Sequence, residues 1–89
     1  MSAQDVAQKR FSTTRWREGY DQDEVDAFLD RAQATLAALE QGRAGSGLTP
    51  EDVVSMRFRP TRFRPGYAQD EVDDFLDEVV VALRHHAPR

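Results

Sequence analysis

Eighty-nine residues set the scale of one small domain, and a hydrophobic fraction of 39% leaves only a thin core to stabilise it. The absence of cysteine excludes disulfides and thiolate metal sites and fits a reducing compartment. The net charge of -4, with a pI near 5.0, argues against a nucleic-acid binder, because carboxylates lie within a Debye length of every basic cluster.

In chain order, residues 1–10 read as a weak first helix with Ser2 as N-cap and Val6 inward. No apolar signal region opens the chain, and no stretch approaches the roughly 20 apolar residues of a membrane span. A cytoplasmic location is therefore expected. Phe11–Arg17, FSTTRWR, favours an extended arm through its β-branched and aromatic residues. Arg17-Glu18-Gly19-Tyr20 reads as a type II turn with glycine supplying a positive φ.

A long helix is then expected to start at Asp21 as N-cap, with Glu24 as its capping-box partner. Its apolar residues Val25, Phe28, Leu29, Ala32, Leu36 and Leu39 recur at helical spacing. That stripe is wider than a two-stranded coiled-coil seam. Gly42–Gly47 reads as a linker, with Gly42 a candidate left-handed cap. Thr49 as N-cap, Pro50 at the first helical position and Asp52 at the third announce a second short helix.

From there the chain repeats itself. Arg62–Asp77, RFRPGYAQDEVDDFLD, restates Arg15–Asp30, RWREGYDQDEVDAFLD, 47 positions later. Arg64-Pro65-Gly66-Tyr67 repeats the expected turn, and Val72, Phe75, Leu76, Val79, Val80 and Leu83 repeat the stripe. Ala68 stands where the first copy has Asp21, so the second long helix lacks a cap. His85 to Arg89 is expected to fray.

The division is a first repeat over 1–41, a linker over 42–47, a second repeat over 48–86 and a tail over 87–89. The expected class is all-α: two short-helix, extended-arm, long-helix repeats. Their long helices pair through Val25, Phe28, Leu29, Val72, Phe75 and Leu76 as a short coiled-coil-like bundle, within one chain or as a homodimer. Parallel and antiparallel pairing both remain open.

Eight of the 12 basic residues (Lys9, Arg10, Arg15, Arg17, Arg57, Arg59, Arg62 and Arg64) fall in the two arms, while acidic residues crowd the helix starts. Carboxylates there are stabilising without any chemistry. His85 and His86 are adjacent rather than at ligand spacing, and no phosphate-binding glycine loop or EF-hand occurs. An enzyme, a metal, a cofactor and a small-molecule substrate are all unexpected. The Gly19-Tyr20 and Gly66-Tyr67 pairs read as structural turns. The aromatic-arginine clusters Arg15, Trp16, Arg17 and Arg62, Phe63, Arg64 are required by no local folding rule, and they are the candidate binding residues.

The stretch LTPEDVVSMRF, the aromatic-Arg arm and GY-x-QDEVDDFLDEV that follow resemble the N-terminal domain of DivIVA, a scaffold of cell poles and division sites in many Gram-positive bacteria. The likeness is strong and nearly continuous over 48–83; the first copy matches well from Phe11 to Leu29 and only weakly before it. It implies intertwined arms that present an aromatic-Arg pair, here Trp16-Arg17 and Phe63-Arg64, to a membrane. Two copies replace one, and the long C-terminal coiled coil of that family has no counterpart in the sequence. The expectation is a non-enzymatic module in cell division or polar growth. It would bind an anionic membrane surface at the inner face of the cell membrane, or serve as an adaptor for a DivIVA-type scaffold or division protein. Self-association is also open.

Overall fold

Each half of the chain opens with a single capped turn of helix. In the computed structural model, which describes residues 1–43 and 47–86, α1 (Ala3–Ala7) and α3 (Pro50–Val54) carry complete capping boxes. Ser2 exchanges hydrogen bonds with Asp5, and Thr49 does the same with Asp52. These backbone N–H groups hold both Asp carboxyls below their usual range. Val6 and Val53 are buried beneath them, as expected from their spacing.

The arms overturn the all-α expectation. They form a four-stranded antiparallel sheet from β1 (Thr13–Thr14), β2 (Gly19–Tyr20), β3 (Pro60–Thr61) and β4 (Gly66–Ala68), in the order β1-β4-β2-β3. The fold is α+β, with 57% of the described residues helical and 11% in strands. Every pairing joins one repeat to the other: β1 with β4, β2 with β3, and β2 with β4 through Gly19 opposite Ala68 and Tyr20 opposite Tyr67. An extended arm must pair its backbone N–H and C=O groups somewhere. Two-residue strands cannot do so alone, so each arm borrows the other.

Gly19 and Gly66 are correspondingly not turn residues. Among the described residues the positive-φ glycines are Gly42 and Gly47, and the bends lie at residues 15–17 and 62–64. What these two strand glycines supply is close approach. A Cβ on Gly19 would lie 2.9 Å from the Tyr67 carbonyl oxygen; one on Gly66 would lie 2.8 Å from that of Tyr20 and would collide with the Thr61 hydroxyl.

The long helices α2 (Gln22–Glu40) and α4 (Gln69–His86) leave directly from the two central strands. They run parallel. Their starts are joined through the β2–β4 pairing, and the N-terminus reaches both their ends. Ala3 donates to the Glu40 carboxylate at 2.9 Å, and Met1 shares a cleft with Ala82, His85 and His86. Two α-helices of this length account for just under 30 Å of the 44 Å long axis, with the sheet at one end.

The helix-pairing residues divide their work differently from the expectation. The tightest helix contacts are α1 on α2 and α3 on α4, whereas α2 and α4 meet each other more sparsely. Val25 and Val72 are fully buried next to the sheet. Phe28 packs edge-on against Phe58, and Phe75 against Phe11, so each helix grips the arm of the opposite repeat. Leu29 and Leu76 are half-buried and line matching side clefts. The stripes were too wide for a two-stranded seam because each also has to cover a short helix and a foreign arm.

Smaller expectations also shift. Asp21 caps α2 through the Glu24 N–H, but the Glu24 carboxylate accepts from the Arg59 N–H at 2.6 Å instead of returning to Asp21. Gly42 is the left-handed cap of α2, with φ 76°, and the N–H of Arg43 reaches back to the Ala38 carbonyl. His85 and His86 remain helical rather than fraying. The middle of the linker and the tail over 87–89 fall outside the described residues.

Candidate functional site: two arm tips at the sheet end

The crossing of the arms brings the two bends together. Arg15, Trp16, Arg17 and Glu18 from one repeat and Arg62 and Phe63 from the other line a single shallow cleft of about 290 Å³. Trp16 is 93% exposed and Phe63 is 95% exposed, the largest exposures of any big apolar side chain among the described residues. Phe63 also holds φ at 62°, in the left-handed region where a bulky non-glycine residue is uncommon. Neither aromatic contributes to the core.

Behind the tips, latches repeat in both halves. The Tyr20 hydroxyl donates to Asp73 at 2.7 Å, and the Tyr67 hydroxyl donates to Asp26 at 2.8 Å. Burial, then the bond to Asp73 and that carboxylate's charge, push the Tyr20 phenol up to about 12; the Tyr67 phenol is raised by burial and Asp26. The rings pack at a tilt against the opposite arm, Tyr20 on Phe58 and Tyr67 on Phe11, with centroids 5.5 and 5.4 Å apart. The Glu71 carboxylate accepts from the Ser12 N–H at 2.8 Å, as Glu24 does from Arg59. The Gly-Tyr and Asp-Glu-Val-Asp segments therefore hold the arms in register.

The tip arginines are mostly paired, again across repeats. Arg62 bridges Glu18 at 3.0 Å, while Arg17 with Asp70 and Arg64 with Asp21 sit at 3.5 Å. All three arginine side chains are more than half exposed, so such pairs contribute at most about 1 kcal/mol each. Arg15 makes no ion pair among the described residues. Its repeat equivalent, Arg62, has Glu18; the position equivalent to Glu18 in the second repeat is Pro65, so no carboxylate is offered to Arg15.

All six candidate binding residues thus lie at one end, and five of them line one cleft, with Arg64 beside it on Asp21. The tyrosine latches, and the role of Glu18 in tying Arg62 and Gln69, were missed by sequence reasoning. The latches carry a signal, since Tyr20 and Asp26 recur as Tyr67 and Asp73 at the same offset, whereas Glu18 carries none, because the second copy has Pro65 in its place. Among the described residues, no helix is long and apolar enough to cross a membrane.

Compared with protein-family models, curated proteins and solved structures, the chain gives no match.

Proposed function

We propose that the chain is a non-enzymatic, DivIVA-like module of bacterial cell division or polar growth that adsorbs to an anionic membrane surface through its two arm tips. The observation that carries this reading is the juxtaposition of Trp16 and Phe63, both almost fully exposed, in one cleft bordered by arginines. Amphipathic aromatics favour the headgroup level of a bilayer, and each nearby arginine adds about 1 kcal/mol of attraction to anionic lipid. The sequence resemblance to the DivIVA N-terminal domain points the same way.

Electrostatics set the order of events. Arg15 is the first contact, because its charge is uncompensated. Arg17, Arg62 and Arg64, each more than half exposed, then exchange weak carboxylate pairings for lipid phosphates at little cost. Two aromatic wedges on one rigid end act as paired anchors, whose combined affinity exceeds that of either.

Co-sedimentation with vesicles tests the proposal. The wild-type chain is expected to pellet with anionic phosphatidylglycerol vesicles and not with zwitterionic ones, with a blue shift of Trp16 emission. Trp16→Ala with Phe63→Ala is expected to abolish pelleting, and Arg17→Glu with Arg64→Glu to abolish both pelleting and the blue shift. Absence of pelleting and of the blue shift in the wild type sinks the membrane reading. A second reading, an adaptor for a DivIVA-type scaffold or division protein, is favoured by the Trp and Arg content of the tips, since these residues dominate protein-binding hot spots. It requires the same tip residues to be lost for partner binding with no dependence on lipid.

A further inference from the structure

The apolar stripes are consumed inside the chain, so any self-association has to use another surface. The outer side of α4 offers one. Asp77, Glu78, Val81, Arg84 and His85 are all exposed there, and Val81 is 68% exposed. Together with Met1 and Ala82, four of these residues border an open cleft of about 470 Å³ whose lining is mainly apolar.

Comparison of the two repeats shows that the fold does not need this surface. The residues of α2 equivalent to Val81, Arg84 and His85 are Ala34, Ala37 and Ala38, and Ala34 is exposed. Alanine is the better helix former at a solvated position, so an exposed β-branched valine works against α4 unless something covers it. The polar groups around it are ordered as well: the acidic Asp77 and Glu78 lie one turn before Val81, and Arg84 and the imidazole of His85 one turn after. Such a face complements itself when turned end for end.

We infer that the outer face of α4 is a self-association surface on which a second copy of this chain docks antiparallel. Val81 meets the partner's Val81 at the twofold axis. On one side Asp77 lies opposite the partner's Arg84, and on the other Glu78 lies opposite the partner's His85. Parallel docking would instead set acidic residues against acidic ones. Because α4 begins at the sheet, the antiparallel arrangement places the two pairs of arm tips at opposite ends of the dimer. A single helix face is a small contact, so the dissociation constant is expected on the order of 0.1 mM.

Sedimentation equilibrium of the full chain without lipid, from about 5 μM to about 1 mM, tests this. The wild type is expected to pass from monomer to dimer with one dissociation constant. Val81→Glu is expected to raise that constant at least about tenfold, with an unchanged helical circular dichroism spectrum because the position is exposed. Asp77→Arg and Arg84→Asp are each expected to weaken the dimer, and the double variant to restore it, which a purely structural effect of either charge does not produce. A wild type that stays monomeric to about 1 mM, a dimer indifferent to Val81→Glu, or a double variant no tighter than the singles overturns the inference. Since no vesicle is present, this result is read independently of membrane binding.

Discussion

Replacing Ala68 by aspartate puts the repeat symmetry to a direct test. Ala68 occupies the N-cap position of α4 and has no side chain to cap with, whereas its counterpart Asp21 accepts the Glu24 N–H at 3.0 Å. The two junctions otherwise match. The Asp21 N–H bonds to the Arg59 carbonyl at 2.8 Å, and the Ala68 N–H to that of Ser12 at 2.9 Å. Ala68 is only 1% exposed, which on its own argues against a carboxylate. Yet the Asp21 side chain is tolerated at the related site with 18% exposure, held by its cap bond and by Arg64. The residue equivalent to Arg64 is Arg17, which already reaches the first turn of α4 through Asp70. The Ala68→Asp variant is therefore expected to gain one N-cap bond, about 1 kcal/mol, with Arg17 offsetting the desolvation. For a domain of this size that raises Tm by about 4–8 °C. Thermal unfolding followed by circular dichroism at neutral pH measures it, and an unchanged or lower Tm refutes the claim that the two strand-to-helix junctions are equivalent.

Three further expectations rest on individual contacts. Gly66→Ala drives a Cβ against the Thr61 hydroxyl and the Tyr20 carbonyl and should cost at least about 3 kcal/mol; Gly42→Ala, at a left-handed cap with open space around it, should cost only about 1 kcal/mol, and equal losses in denaturant titrations contradict the close-approach reading. Thr35 accepts the buried Leu48 N–H at 3.0 Å while donating to the Arg31 carbonyl at 2.8 Å. Thr35→Val keeps the shape but strands that N–H, for an expected loss of about 1–3 kcal/mol; a variant as stable as wild type argues that the linker is held elsewhere. Tyr20 has a folded-state pKa of about 12 against an ordinary 10.0. Its raised pKa makes the contribution whole below pH 10 and removes it as the pH climbs toward 12. Alkaline titration of stability should therefore fall less steeply over that window in Tyr20→Phe than in the wild type, and identical slopes dismiss the latch as the cause.

How much of this was legible in the sequence differs by element. Caps were readable because a capping box is local: Ser2 with Asp5 and Thr49 with Asp52 need only a three-residue spacing. The helical stripes were equally readable, as was the extended character of the Thr13-Thr14 arm. The sheet was not, because its partners lie about 50 residues apart and each strand is only two or three residues long, below the length at which alternation becomes visible. Glycine misled for a related reason. Gly-Tyr after an arginine and a proline satisfies a type II turn rule, and nothing local distinguishes a glycine needed for positive φ from one needed so that the Tyr67 carbonyl can pass at close range.

The same distinction separates what the repeat conserves within this chain from what it varies. Positions that cross between halves, such as the Tyr20–Asp73 and Tyr67–Asp26 latches and the Glu24 and Glu71 bonds to the opposite arm, are identical in both copies, because each must serve the other. The tips keep only a type, Trp16 against Phe63, and their carboxylate neighbour differs outright, Glu18 against Pro65. A residue that the fold uses twice is held by two sets of contacts. A tip with 93% or 95% exposure lies outside the core, and the proposed membrane contact is what would give its aromatic character a use. Asymmetry carries the same weight on α4, where the exposed Val81, Arg84 and His85 depart from the alanines of α2.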